Sequence, residues 1–87
     1  MSPDVAESHN LDHHAMVEMK LIRMANQIAT YFDSRPEAER VAGIASHIND
    51  FWEPRMRTQL LDLLARRSDA FKADVIAALP LIRKPSR

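Results

Sequence analysis

The sequence holds no cysteine and a single glycine, Gly43, in 87 residues. The first absence excludes disulfide frameworks, thiolate zinc sites, iron–sulfur ligation and thiol nucleophiles, and it fits a reducing compartment. The second leaves little material for phosphate-cradling loops or tight hairpins, and with only five aromatic residues a strand-rich fold is disfavoured. Long apolar runs are missing too. The N-terminus passes through Asp4, Glu7, His9, Asp12, His13 and His14 without an apolar stretch of about 7–15 residues, so neither a signal peptide nor a membrane anchor is expected. The expected location is cytoplasmic.

What is present suits one small helical domain. Apolar residues make up 46% of the chain, yet a domain of this size buries only about 60–65% of its unfolded surface and is marginal alone. Net charge is zero but unevenly spread: residues 1–53 carry nine acids and four bases, residues 54–87 three acids and eight bases. Such polarity suits docking between surfaces of complementary potential, and it argues against a wholly basic nucleic-acid footprint. Most of these charges, taken singly, also read as solvated helix faces.

Residues 1–15 mix Ser, Pro, Asp, Glu, Asn and His without period and read as a flexible polar leader, helical from about Leu11 or Asp12 onward. Residues 16–82 form the helical domain and 83–87 a basic tail. Leu21, Met24, Ala25, Ile28, Tyr31 and Phe32 recur at three- and four-residue steps and line one face of a first helix. Asp33 or Ser34 is expected to cap the corner that follows, with Pro36 in the first turn of a second helix over 36–50. That helix places Val41, Ala42, Ile44, Ala45, Ile48 and Phe51 or Trp52 along its apolar side. Its small residues Ala42, Gly43, Ala45 and Ser46 leave room for another backbone. Pro54 interrupts the pattern and turns Phe51-Trp52-Glu53-Pro54 into a corner. A third helix over 54–67 buries Met56, Leu60, Leu63 and Leu64, with Arg66 and Arg67 complementing its C-terminal dipole. After Ser68-Asp69, a short fourth helix carries Phe71, Val75, Ile76 and Leu79 as far as Pro80. The expected fold is all-α: a compact bundle of three to four short helices with a flexible N-terminal leader.

Catalytic chemistry finds little support. His9 and His13 share a helix face at i, i+4, a metal-binding spacing, but no third ligand is fixed beside them, and a solvated leader is the stronger reading. Ser34 and Ser68 look like caps, and no serine sits in a Gly-rich elbow. Glu37 and Glu39 diverge around their helix and form no carboxylate dyad. Met16, Met19 and Met24 offer an adaptable apolar surface for a partner. Arg55, Arg57, Arg66 and Arg67 could meet phosphates, so a small helix-turn-helix-like DNA-binding regulator stands as the alternative, without a recognisable base-reading arrangement. The densest stretch is Phe51-Trp52-Glu53-Pro54-Arg55-Met56-Arg57, rich in the residue types that dominate interfaces. It reads equally well as a plug between helices.

That stretch belongs to the longer string Val41-Ala42-Gly43-Ile44-Ala45-Ser46-His47-Ile48-Asn49-Asp50-Phe51-Trp52-Glu53-Pro54-Arg55-Met56-Arg57. Together with Leu21-Ile22-Arg23-Met24-Ala25-Asn26-Gln27-Ile28-Ala29, it resembles the delta subunit of soluble NAD-dependent, molybdenum-containing formate dehydrogenases. The two segments hold 26 of the 87 residues. The resemblance implies a non-catalytic accessory subunit of a complex that oxidises formate to carbon dioxide and reduces NAD. It implies as partners the large molybdenum subunit and its diaphorase partners. Molybdopterin guanine dinucleotide, iron–sulfur clusters and FMN would lie in those larger subunits, and none would be bound by this chain. The expected contact residues, structural or partner-facing, are Asn26, Gln27, His47, Phe51, Trp52, Arg55 and Arg57.

Overall fold

A computed structural model describes the backbone of residues 3–85 and the side chains of residues 15–85. Four α-helices follow in order: α1 (Pro3–Tyr31), α2 (Glu37–Phe51), α3 (Pro54–Arg66) and α4 (Ala73–Ala78). A 3-10 turn, Ser68–Ala70, precedes α4, and a second, Leu79–Leu81, follows it. No strand occurs among the described residues.

α1 starts well before the position its apolar period suggests. Pro3 suits a first helical position, where a missing N–H costs nothing, and neither Gly nor Pro occurs between residues 4 and 35 to stop the helix. The segment read as a leader therefore carries helical backbone from residue 3 onward; the His9, His13 and His14 side chains lie outside those described. At about 1.5 Å per residue, 29 residues give a rod of about 44 Å, which accounts for most of the 51 Å long axis of the molecule.

The core joins all four helices. Leu21, Ala25 and Ala29 line one stripe of α1 at steps of four; Ile44, Ala45, Ile48 and Trp52 come from α2 and its cap, and Leu60, Leu63 and Leu64 from α3. Phe71, Val75, Ala78 and Ile82 close the assembly from the C-terminal side. The three α1 positions narrow to alanine, which lets neighbouring helices approach its axis. No polar side chain is buried among the described residues, so the core asks for no internal hydrogen-bond network.

Several local expectations are corrected. Pro36 is the N-cap of α2 rather than part of its first turn, and no side chain caps that end. The corner closes through backbone bonds instead, Asp33 N–H to the Thr30 carbonyl (3.1 Å) and Arg35 N–H to the Phe32 carbonyl (3.0 Å). The Asp33 carboxylate faces Lys72 at 3.7 Å. Ser68 opens a 3-10 turn and makes no side-chain cap bond. The close approach at Gly43 is made by a ring and not a backbone: a Cβ there would stand 2.6 Å from Phe32 Cε1. In α4 the inward residues are Val75 and Ala78, spaced by three, which turns Ile76 outward. Tyr31, read as part of the core stripe, is 74% exposed, because two residues past Ala29, the last of the Leu21, Ala25 and Ala29 stripe, the helix has turned it about 200° away.

Candidate functional site

The seven residues singled out in the sequence divide into an internal and an external set. Asn26, half-buried on α1, uses both arms of its amide on the connection between α3 and α4: Nδ2 donates to the Ala70 carbonyl (3.0 Å), and Oδ1 accepts the Lys72 N–H (2.8 Å). Asn49 on α2 repeats the device on the C-terminal stretch, donating to the Leu81 carbonyl (3.0 Å) and accepting from the Arg83 N–H (2.8 Å). In each case the amide pairs with residues j and j+2 of an extended stretch, and the residue between them, Phe71 or Ile82, is buried. Two otherwise irregular segments are thereby held with an apolar anchor inserted in the core. Asn49 escaped the sequence reading, which had no way to see a partner more than thirty residues away.

The corner after α2 is built by Pro54. Steric conflict with its ring drives Glu53 to an extended conformation (φ −64°, ψ 155°), and Pro54 then occupies the first turn of α3. Trp52, the C-cap of α2, is likewise extended (φ −90°, ψ 132°), and its backbone N–H still reaches the Ile48 carbonyl at 3.0 Å. This backbone step swings Trp52 into the core, 5% exposed, and leaves Phe51 outside, 73% exposed. Arg57 ties the corner down by donating from Nη1 to the Trp52 carbonyl (2.8 Å) and from Nε to the Arg83 carbonyl (3.1 Å). Arg55 is exposed. Asn26, Trp52 and Arg57 thus make internal contacts, whereas Gln27, His47, Phe51 and Arg55 face outward.

The outward set is organised by a ridge on α1. Met19, Arg23, Gln27 and Tyr31 stand at successive steps of four and separate two grooves. On one side lies an aromatic groove of about 540 Å³, lined by Met24, Gln27, Ile28, Tyr31, Phe32, His47, Phe51 and Trp52. Its aromatic groups are mutually braced: the Tyr31 and Phe32 rings meet edge to face (5.0 Å, 88°), and the His47 and Phe51 rings lie 4.8 Å apart. On the other side lies a shallower groove of about 400 Å³, whose walls include Met19, Ile22, Arg23, Gln27, Arg67 and Ala70. Met16, one turn before Lys20, adds a further exposed apolar side chain to α1.

Several charges among the described residues are engaged within the chain. Arg40 meets Asp74 at 2.7 Å, and Arg66 bridges Asp62 (2.8 Å) and Glu18 (3.1 Å), so Arg66 joins α3 to α1 in addition to sitting in the last turn of α3. The hydrogen bond to Asp74 raises the Arg40 pKa, with burial offsetting it in part; hydrogen bonds to Asp62 and then Glu18 raise that of Arg66. A raised arginine pKa contributes stability fully present below the ordinary arginine range and lost only as pH climbs through the raised value, so neither arginine changes charge near neutrality. Among the arginines considered for phosphate contact, Arg57 and Arg66 are therefore held internally. Ser46 reaches only Asp50 (3.4 Å), on the surface. Among the described residues no three His, Asp or Glu side chains gather as a metal ion requires, and the chain has no thiolate to offer an iron–sulfur cluster. No described helix is long and apolar enough to cross a membrane. The two grooves and the exposed Tyr31 and Phe51 offer apolar surface to a binding partner.

Comparison with known proteins bears on the kind of partner. The family model described as NADH-dependent formate dehydrogenase delta subunit FdsD matches residues 20–79. No curated protein and no solved structure matches the chain. The matched span contains both asparagine clamps' side chains, the ridge residues Arg23, Gln27 and Tyr31, the aromatic groove and the Pro54 corner. The chain belongs to the family of delta subunits of NADH-dependent formate dehydrogenase.

Proposed function

We propose that this delta subunit is a non-catalytic accessory chain, which binds and stabilises a cytoplasmic molybdenum formate dehydrogenase that converts formate and NAD to carbon dioxide and NADH. The aromatic groove docks on the large molybdenum subunit. Molybdopterin guanine dinucleotide, the iron–sulfur clusters and FMN reside in that subunit and its diaphorase partners. The same contact would serve assembly or cofactor maturation of the large subunit.

The observation that carries this reading is the pair of aromatics at the groove's mouth. Tyr31 and Phe51 are about three-quarters exposed in a chain that has only five aromatic residues, and both border one groove with Met24, Ile28 and His47. Large aromatics left in water beside apolar walls are the composition of an interface centre. Acid–base or nucleophilic machinery has no counterpart among the described side chains. The test is to express the dehydrogenase subunits with and without this chain. The chain should co-purify with the large molybdenum subunit, and its omission should lower the thermal stability or yield of the assembled complex. Recovery of an equally stable, equally abundant complex lacking the chain would overturn the proposal.

A further inference from the structure

Arg23 and Arg67 are two arginines that line a groove without an internal partner among the described residues. Arg35, Arg40, Arg66 and Lys72 each lie within hydrogen-bonding or ion-pair reach of a carboxylate, and Arg57 donates to two carbonyls. Arg23 and Arg67 have no carboxylate or carbonyl partner for their guanidinium groups among the described residues. Both line the same groove, the shallower one, which does not include Tyr31 or Phe51. Lys20, Arg55, Arg83 and Lys84 also lack such partners, but they border neither groove.

Two like charges beside one concavity repel in the isolated chain, and apolar walls strengthen the field between them by excluding water. Met19, Ile22 and Ala70 supply such walls here, and Gln27 adds a side-chain amide at the border. A guanidinium presents a planar fork of donors that matches a carboxylate, and the match is strongest where apolar contacts shed water around it. We propose that this groove receives an acidic segment of the protein partner, with an Asp or Glu carboxylate seated between Arg23 and Arg67 and a flanking apolar side chain against Met19 and Ile22. The proposal rests on the docking reading above: Gln27 borders both grooves, so a partner that covers the aromatic groove continues over the ridge into this one.

Charge complementarity of this kind acts mainly on association rate and falls with salt. The experiment uses the full chain assembled with the dehydrogenase. Arg23→Lys and Arg67→Lys variants keep the charge and introduce an amine, and the assembled complex is treated with a carbodiimide that joins an amine to a carboxylate without a spacer. A new link from position 23 or 67 to an Asp or Glu of a partner subunit, located by peptide mass spectrometry, is expected. In parallel, the Arg23→Glu/Arg67→Glu double variant should associate about 10- to 100-fold more slowly at about 50 mM salt, with the difference shrinking at about 300 mM. Absence of any such link, together with an unchanged rate for the charge-reversed chain, would overturn the inference. If in that case a Tyr31→Ala/Phe51→Ser double variant still loses the complex, the docking reading stands without this one. If neither double variant affects assembly, both fall.

Discussion

The seam between α2 and the C-terminal stretch and the outer ridge of α1 are built from similar residue types and put them to opposite use. At the seam, Trp52 is in the core, Arg57 is fastened to two carbonyls, and Asn49 holds both sides of Ile82. At the ridge, Tyr31 and neighbouring Phe51 stand in water, and Arg23 has no internal partner. An aromatic, an arginine and an amide therefore carry no fixed meaning in this chain. Their meaning comes from whether the chain itself completes them, and the ridge is where it does not.

The largest effect that separates the two regions is expected at adjacent residues. Trp52→Ala removes a buried indole and leaves a cavity in the core, a change of about 3–5 kcal/mol. Against the total stability of about 5–15 kcal/mol usual for a domain, that is enough to unfold much of the population. Phe51→Ala should stay within about 0.5 kcal/mol, because the ring leaves water only on docking. Thermal unfolding followed by far-ultraviolet circular dichroism reads both. Equal losses for the two variants would mean that the seam and the ridge are not distinct.

Binding should show the reverse order. Truncating Tyr31 or Phe51 should weaken association with the dehydrogenase by about 30-fold each, as expected for an aromatic at the centre of an interface, while the melting temperature hardly moves. Surface plasmon resonance on the purified large subunit would measure it. A loss of affinity no larger than that of Arg55→Ala would put the interface elsewhere.

A smaller effect compares the two clamps with each other. Asn26→Ala and Asn49→Ala each strip a carbonyl and an N–H of their side-chain partner, at a cost of about 1–2 kcal/mol where water can reach the site and more where it cannot. The bond from Asn26 to Ala70 is partly buried, whereas both bonds of Asn49 are exposed, so Asn26→Ala should be the more destabilising. Chemical denaturation of the pair gives the ranking, and the reverse order would show that the Ile82 anchor depends on its clamp more than the Phe71 anchor does.

The all-helical fold and most of its core were legible because Leu21, Ala25, Ile44, Ile48, Leu60 and Leu64 recur at helical spacing, and because Pro36 and Pro54 punctuate the chain. The division between Phe51 and Trp52 was not. Adjacent residues at a helix end differ by about 100° in direction, and the extended cap at Trp52 breaks the period that would have ranked them. Tyr31 was misplaced for a related reason, since its step of three from Ile28 fits the apolar period although the helix has turned it away from Ala29. The clamps were invisible to local pattern because Asn26 and Asn49 bind backbone 32 to 46 residues away. The side-chain caps expected at Asp33 and Ser34 failed to form because successive backbone bonds had already closed that corner.

The finest test of the comparison is between two arginines separated only by Met56. Arg57→Ala should cost about 1 kcal/mol, since it leaves the Trp52 and Arg83 carbonyls to water and loosens the corner that keeps the indole inward. Arg57→Lys should recover only part of this. One ammonium can replace either the Nη1 bond at 2.8 Å or the Nε bond at 3.1 Å, but it lacks the planar fork that reaches both carbonyls together. Arg55→Ala should change stability by less than about 0.5 kcal/mol, because its side chain is exposed and ties no element to another. The three variants, melted side by side, place the boundary between seam and surface to within two residues; full recovery by lysine would mean that charge near the corner, rather than the two-carbonyl geometry, holds it shut.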